Sequence, residues 1–177
     1  MANSIKDLLT LELQDMYSAE TQILDALPKM EEAASTQSLK RAFQEHHQVT
    51  QRQVERLEEV CRMLGIEPEG EICEAMEGLV EEGEDLMDEL EEGPLLDAAL
   101  IGAAQKVEHY EIAGYGTITA MLKSMGEQRA ADLMSQTLKE EKDTDELLTQ
   151  LAEAEVNPAA LGRQPANDPS GQSRGAA

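Results

Sequence analysis

Glu20, Glu108, Glu111, Glu141 and Asp145, together with His46, Thr50 and Gln53, stand where helical spacing turns side chains inward and a core would carry leucine. Burying an unpaired carboxylate costs roughly several kcal/mol, and neighbouring carboxylates repel, so such groups must be protonated, solvated or neutralised by a cation. Two divalent ions would bring about four positive charges and use these oxygens as ligands. Carboxylates that bridge a metal pair, with one or two imidazoles, suit iron or manganese. Tetrahedral zinc calls for more His or Cys, and the Asp-x-Asp-x-Asp-Gly calcium loop is missing.

The expected ligands are therefore Glu20, His46, Glu108, Glu111, Glu141 and Asp145, with Tyr17, Thr50, Gln53 and Tyr115 around them as tuning residues or weak ligands. Each residue alone has a plainer structural reading: Glu20 as a snorkelling side chain, His46 as a satisfied core histidine, the tyrosines as core aromatics bonded to a carboxylate. The coincidence on four helices favours the metal. Redox cycling of such a pair would make the chain an oxidase or peroxidase, with peroxide or oxygen as the small oxidant, although no catalytic residue is assigned. The competing reading is a non-catalytic acidic bundle that binds a partner and has a metal-free, hydrogen-bonded polar core.

The elements that must position these residues are four long helices. Ser4 with Asp7 reads as a capping box opening the first, which runs to about Ala34 with Leu9, Leu13, Met16, Glu20, Ile23, Leu27 and Met30 inward and a kink expected at Pro28. Ser35-Thr36-Gln37-Ser38 supplies turn and capping chemistry for the second, whose row is Leu39, Phe43, His46, Thr50, Gln53, Leu57, Val60 and Leu64, closed by Gly65. Gly93-Pro94 starts the third, to about Ser124, with Asp97, Ile101, Ala104, Glu108, Glu111, Tyr115, Ile118 and Leu122 inward. Beyond Gly126 the fourth runs from about Glu127 to Ala154, with Ala131, Met134, Leu138, Glu141, Asp145, Leu148 and Ala152 inward. The acidic connection 66–93 keeps enough periodicity for one short amphipathic helix, with Gly78 and Gly83 arguing against its continuity.

Helices joined by short turns lie antiparallel. Reflection about residue 35 sets Glu20 opposite position 50, and reflection about the Gly126 turn sets Glu111 opposite roughly position 140, so the polar residues of each hairpin share one level. The long crossover makes the second and third helices roughly parallel and relates the hairpins by a pseudo-twofold, echoed in Tyr17-x-x-Glu20 and Glu108-x-x-Glu111. The expected architecture is all-α, one bundle over 1–157 followed by a flexible tail at 158–177 rich in Ala, Gly, Pro and Ser.

Composition narrows the partners. With 14 basic against 37 acidic residues and a formal charge of -23, the surface repels nucleic acid and anionic membranes. Cys61 and Cys73 show no disulfide or Cys-x-x-Cys spacing and read as buried thiols. The absence of a signal-like start or a long apolar run leads to the expectation of a cytoplasmic protein. No Gly-x-Ser-x-Gly, phosphate-cradling glycine loop or Cys–His pairing supports nucleophilic or nucleotide chemistry.

Several stretches resemble the YciF-like bacterial stress proteins of the ferritin-like superfamily. They are Leu-Gln-Asp-Met-Tyr-Ser-Ala-Glu-Thr-Gln-Ile-Leu at 13–24, Ala-Phe-Gln-Glu-His at 42–46, Gln-Lys-Val-Glu-His-Tyr-Glu-Ile-Ala-Gly-Tyr-Gly-Thr at 105–117 and Leu-Lys-Glu-Glu-Lys-Asp-Thr-Asp at 138–145. The resemblance spans about 5–155 and implies a ferritin-like four-helix bundle with extra helix in the crossover, a dinuclear metal site, a role in stress response and a homodimer. It places Glu20 as the single carboxylate of the first helix and Glu111 or Glu108 as its counterpart on the third. Where the superfamily carries Glu-x-x-His on the second and often the fourth helix, this chain has Thr50-x-x-Gln53 and Glu141-x-x-Thr144, which leaves His46 and Asp145 as substitutes.

Overall fold

In the computed structural model, residues 3–70 and 72–162 are described. Among them the chain is helical, without strands: α1 (Ile5–Ala33), α2 (Gln37–Leu64), α3 (Glu74–Glu89), α4 (Pro94–Met125), α5 (Gln128–Leu151) and, after a π-helical turn at Ala152–Val156, the short α6 (Asn157–Ala160). Residues 158–160, expected in the tail, therefore belong to a last helical turn led by Pro158 near its start, while 163–177 lie outside the described residues. The fourth helix also ends in a wider turn that periodicity does not reveal, and this turn buries Val156.

The helix ends follow the sequence closely. Ser4 and Asp7 form the reciprocal capping box. Gly65 and Gly126 adopt φ of 68° and 80° and close α2 and α4, a conformation that costs glycine nothing. α1 continues through Pro28, and α3 continues through Gly78 and Gly83. One cap differs from expectation. The Thr36 side chain makes no capping bond; buried Asp97 of α4 instead accepts the Ser35 and Thr36 backbone N–H groups at 2.6 and 2.9 Å. A carboxylate fixed there satisfies two helix-start donors and pins the α1–α2 turn to the start of α4.

α1 packs on α2 and α4, α5 packs on α4 and α2, and α3 lies over α1 and α4. The α1–α2 turn meets early α4 through Asp97, while Asp15 of α1 meets Tyr110, so α1 and α4 run antiparallel and α2 and α4 parallel, as the crossover length requires. α1 and α4 approach closely near Gly114, where a Cβ would run into the Met16 thioether. The core has two apolar halves. Leu9, Leu13, Leu57, Ile118 and Leu122 fill one end; Leu27, Leu39, Phe43, Leu96, Leu100 and Leu148 fill the other. Between them, by register on every long helix, lies the polar level.

Candidate metal centre

That level is buried and crowded. Glu20, Glu108 and Glu141 have no exposed surface, Glu111 has 1% and His46 has 5%. Each comes from the inward stripe of its helix, whose apolar residues resume above and below the polar level. Ligand atoms of His46, Glu108, Glu111 and Glu141 all lie within 4.8 Å of one another. Glu20 joins from α1, its carboxyl against that of Glu111 and its Oε1 accepting a hydrogen bond from the Tyr115 hydroxyl.

The electrostatics follow from burial. Desolvation pushes Glu20 up to about 8 although the Tyr115 hydroxyl works the other way, and it pushes Glu108 up to about 8 against the contact with Glu141. Glu111 and Glu141 lie well above the usual carboxylate range, first through burial and then through the repulsion of the surrounding acids. Burial, with a smaller contribution from His47, lowers His46 to about 4, so at neutral pH its ring is uncharged and offers a lone pair. The 3.4 Å approach of His46 Nδ1 to Glu108 Oε1 is therefore not an ion pair, and both atoms lack a hydrogen-bond partner.

Twelve buried side-chain nitrogens and oxygens among the described residues have no hydrogen-bond partner, and ten of them lie in this layer, on Glu20, His46, Thr50, Gln53, Glu108, Glu111 and Glu141. Native interiors pair such groups almost without exception. Carboxylate oxygens from α1, α4 and α5 with one neutral imidazole from α2 form a donor set that suits a hard or borderline divalent ion, so the residues are compatible with metal binding.

Structure redistributes the remaining expected residues. Gln53 is buried, and its amide reaches Glu141 Oε1 at 2.5 Å and Glu140 Oε2 at 3.3 Å, which makes it an orienting group for the α5 carboxylates. Thr50 is buried in the layer with an unpartnered hydroxyl. Asp145 does not join the cluster: its side chain is 24% exposed, accepts from Gln105 at 3.0 Å and stands 3.6 Å from His109. Four residues advance about 40° beyond one full helical turn, which carries Asp145 off the line of Glu141 toward α4. Tyr17 also departs, facing Glu58 on α2 at 3.4 Å, so its echo of Glu108 is in sequence only. Sequence reasoning missed the Arg56–Glu140 pair. Arg56 donates to Glu140 at 2.9 and 3.2 Å and to Thr137 at 2.5 Å. Its spacing of one turn from Gln53 was the available signal.

The family described as Domain of unknown function (DUF892) matches residues 4–161. The chain belongs to this family. Protein YciF of Escherichia coli K12 is 44% identical over 163 residues, covering 89% of this chain and 95% of that protein. The crystal structure of the E. coli stress protein YciF superposes with a TM-score of 0.85 at 43% identity, over 88% of this chain and 99% of that one. YcfI, described as a putative structural protein, from Rhodopseudomonas palustris gives a TM-score of 0.81 at 40% identity, over 83% of this chain and 94% of that one. A two-domain protein from Anabaena variabilis with DJ-1/ThiJ/PfpI-like and ferritin-like domains gives 0.58 at 20% identity, over 99% of this chain and 42% of that one. That last likeness concerns the fold alone. The DUF892 chain is thus an all-α, ferritin-like bundle whose buried carboxylate and histidine cluster sits at its middle.

Proposed function

We propose that this chain is a metal-binding protein that holds two divalent ions, iron or manganese, between Glu20, His46, Glu108, Glu111 and Glu141, and acts in a stress response. The observation that carries the reading is the concentration of unpartnered buried oxygens and nitrogens in one layer. Such atoms cost about 1–3 kcal/mol each when left unpaired, and a cation converts them into ligands. The stress role rests on the similarity to a protein described as a stress protein. A bound redox-active pair would supply electron exchange with a small oxidant, an oxidase or peroxidase class of chemistry.

The chain's own residues set the conditions for that chemistry. Two apolar core halves exclude water from the level. Tyr115 and Gln53 each donate to one carboxylate oxygen and so leave the other oxygen of Glu20 and of Glu141 turned toward the cluster. Raised carboxyl affinities for protons mean that ions must displace protons on binding, so affinity rises with pH.

Two further features fit the expected setting. Cys61 and Cys73 are free and buried, which suits a reducing compartment such as the cytoplasm. Leu8, Leu11 and Ile72 are exposed beside one another around a shallow depression, a face suited to a homodimer. Reconstitution with iron(II) or manganese(II) under reducing conditions, followed by elemental analysis, tests the reading. About two ions per chain are expected. Less than one tightly held ion, with the fold intact, rejects it in favour of a metal-free interaction bundle.

A further inference from the structure

We infer that the cavity beneath the crossover helix α3 is a binding and access site for a small apolar gas molecule of the dioxygen class, leading to the His46 and Glu108 end of the carboxylate layer. The inference rests on the metal reading for its purpose, and its ligand class comes from the cavity itself. The cavity is about 30 Å³ and runs from the surface pair Lys29–Glu84 to His46 and Glu108. Between these ends its walls are aliphatic, with Leu27 of α1, Val80 and Met87 of α3 and Ala104 of α4 among them.

Size and polarity decide the occupant. A space of this volume exceeds the roughly 10–15 Å³ that one water needs, but a water also needs two to four polar partners, and apolar cavities stay dry and take apolar guests. Peroxide carries two O–H donors and several lone pairs, and seating it against carbon would forfeit its hydrogen bonds at a cost of roughly 2–7 kcal/mol per unmatched group. Dioxygen forfeits none. At the outer end, Lys29 Nζ and Glu84 Oε1 are 2.5 Å apart and partly exposed, so the cavity is flanked there by a surface ion pair that opens cheaply. At the inner end the cavity is lined by His46 and Glu108, both members of the carboxylate layer.

α3 lines the cavity as extensively as α1 does, which gives the crossover a purpose beyond chain return. Small residues keep the space open. A Cβ on Gly83 would stand 3.8 Å from that of Ala103, an ordinary contact, so a longer side chain can be placed there and directed along the cavity. Val80 is half-buried on the same wall and accepts enlargement with limited strain.

The test uses xenon alone as the first probe. Crystals of the full chain under xenon pressure are expected to show one xenon between Val80 and Ala104, absent in Val80→Phe and in Gly83→Leu, each checked for an unchanged helical spectrum. Iron(II)-loaded variants are then expected to retain their iron while oxidation by dissolved oxygen slows at least about fivefold. Absence of xenon in the parent overturns the inference, as does an oxygen-dependent rate unchanged in both folded variants. A chain that takes up xenon in this way and holds no iron refutes the metal reading while supporting the gas site, so the two failures are distinguishable.

Discussion

The side-chain amide of Gln53 donates to Glu141 Oε1 at 2.5 Å, joining α2 to α5 at the level of the carboxylate cluster. The same nitrogen lies 3.3 Å from Glu140, which Arg56 holds with two further bonds. A residue that reads as a weak ligand is thereby an orienting residue, and Gln53→Ala releases Glu141 from its fixed rotamer. Metal affinity is expected to fall by about tenfold or more, the usual effect of losing a partner that orients a ligand. Competition with a chromophoric chelator measures it, and an unchanged affinity refutes the assignment.

Removing a ligand has opposite effects on binding and on the metal-free fold. Glu111→Gln replaces a buried acid, repelled by Glu141, Glu20 and Glu108, with an amide of the same shape. Bound metal is expected to drop to one ion per chain or fewer, whereas the midpoint of thermal unfolding without metal rises. Asp145→Asn, outside the cluster, is expected to keep full metal content. Equal metal loss in both variants, read by elemental analysis, would contradict the geometry.

Tyr115 is fully buried, and its hydroxyl is the hydrogen-bond donor to Glu20 Oε1. Tyr115→Phe leaves that oxygen unpartnered at a cost of about 1–3 kcal/mol. At about 2–4 °C per kcal/mol for a chain of this size, metal-free protein should melt several degrees lower. Metal-loaded protein should lose less, because ions bound as proposed would hold Glu20 directly. Calorimetry of both forms tests the difference.

Without metal, stability should fall as pH rises. Glu20 and Glu108 hold their protons up to about 8 in the folded chain and to the usual carboxylate range, near 4.5, when unfolded. Their contribution is complete below the unfolded value and is lost as pH climbs through 4.5 to 8. His46 acts in the other direction: lowered to about 4 from 6.5, it costs stability as pH falls from 6.5 toward 4. Metal-free protein is expected to be most stable in mildly acidic buffer and to lose on the order of 5 °C or more in melting temperature by pH 9. Metal-loaded protein should show the reverse trend on the alkaline side, since ions bind by displacing these protons. Melting curves from pH 5 to 9, with and without metal, decide it.

The sequence by itself determined the helices and the level of the cluster. Capping residues, glycines at helix ends and the three-and-four step of leucines are local signals, and they placed Glu20, His46, Glu108, Glu111 and Glu141 inward because each lies a helical turn from apolar neighbours. Short turns then fixed which levels face each other. Tertiary structure decided everything that depends on direction across the bundle. A periodic row has no means of separating Glu141 from Asp145, because an offset of about 40° is too small to break the pattern yet large enough to turn a carboxylate from the cluster to Gln105. Tyr17, about 60° short of a full turn before Glu20, faces Glu58 instead, and Gln53 became an orienting group only because α5 brings Glu140 and Glu141 to its amide. Asp97, an acid in an inward row like the others, spends its charge on two backbone N–H groups from a distant turn. Burial is written in the period of a helix; the partner that justifies burial comes from another helix, and only packing names it.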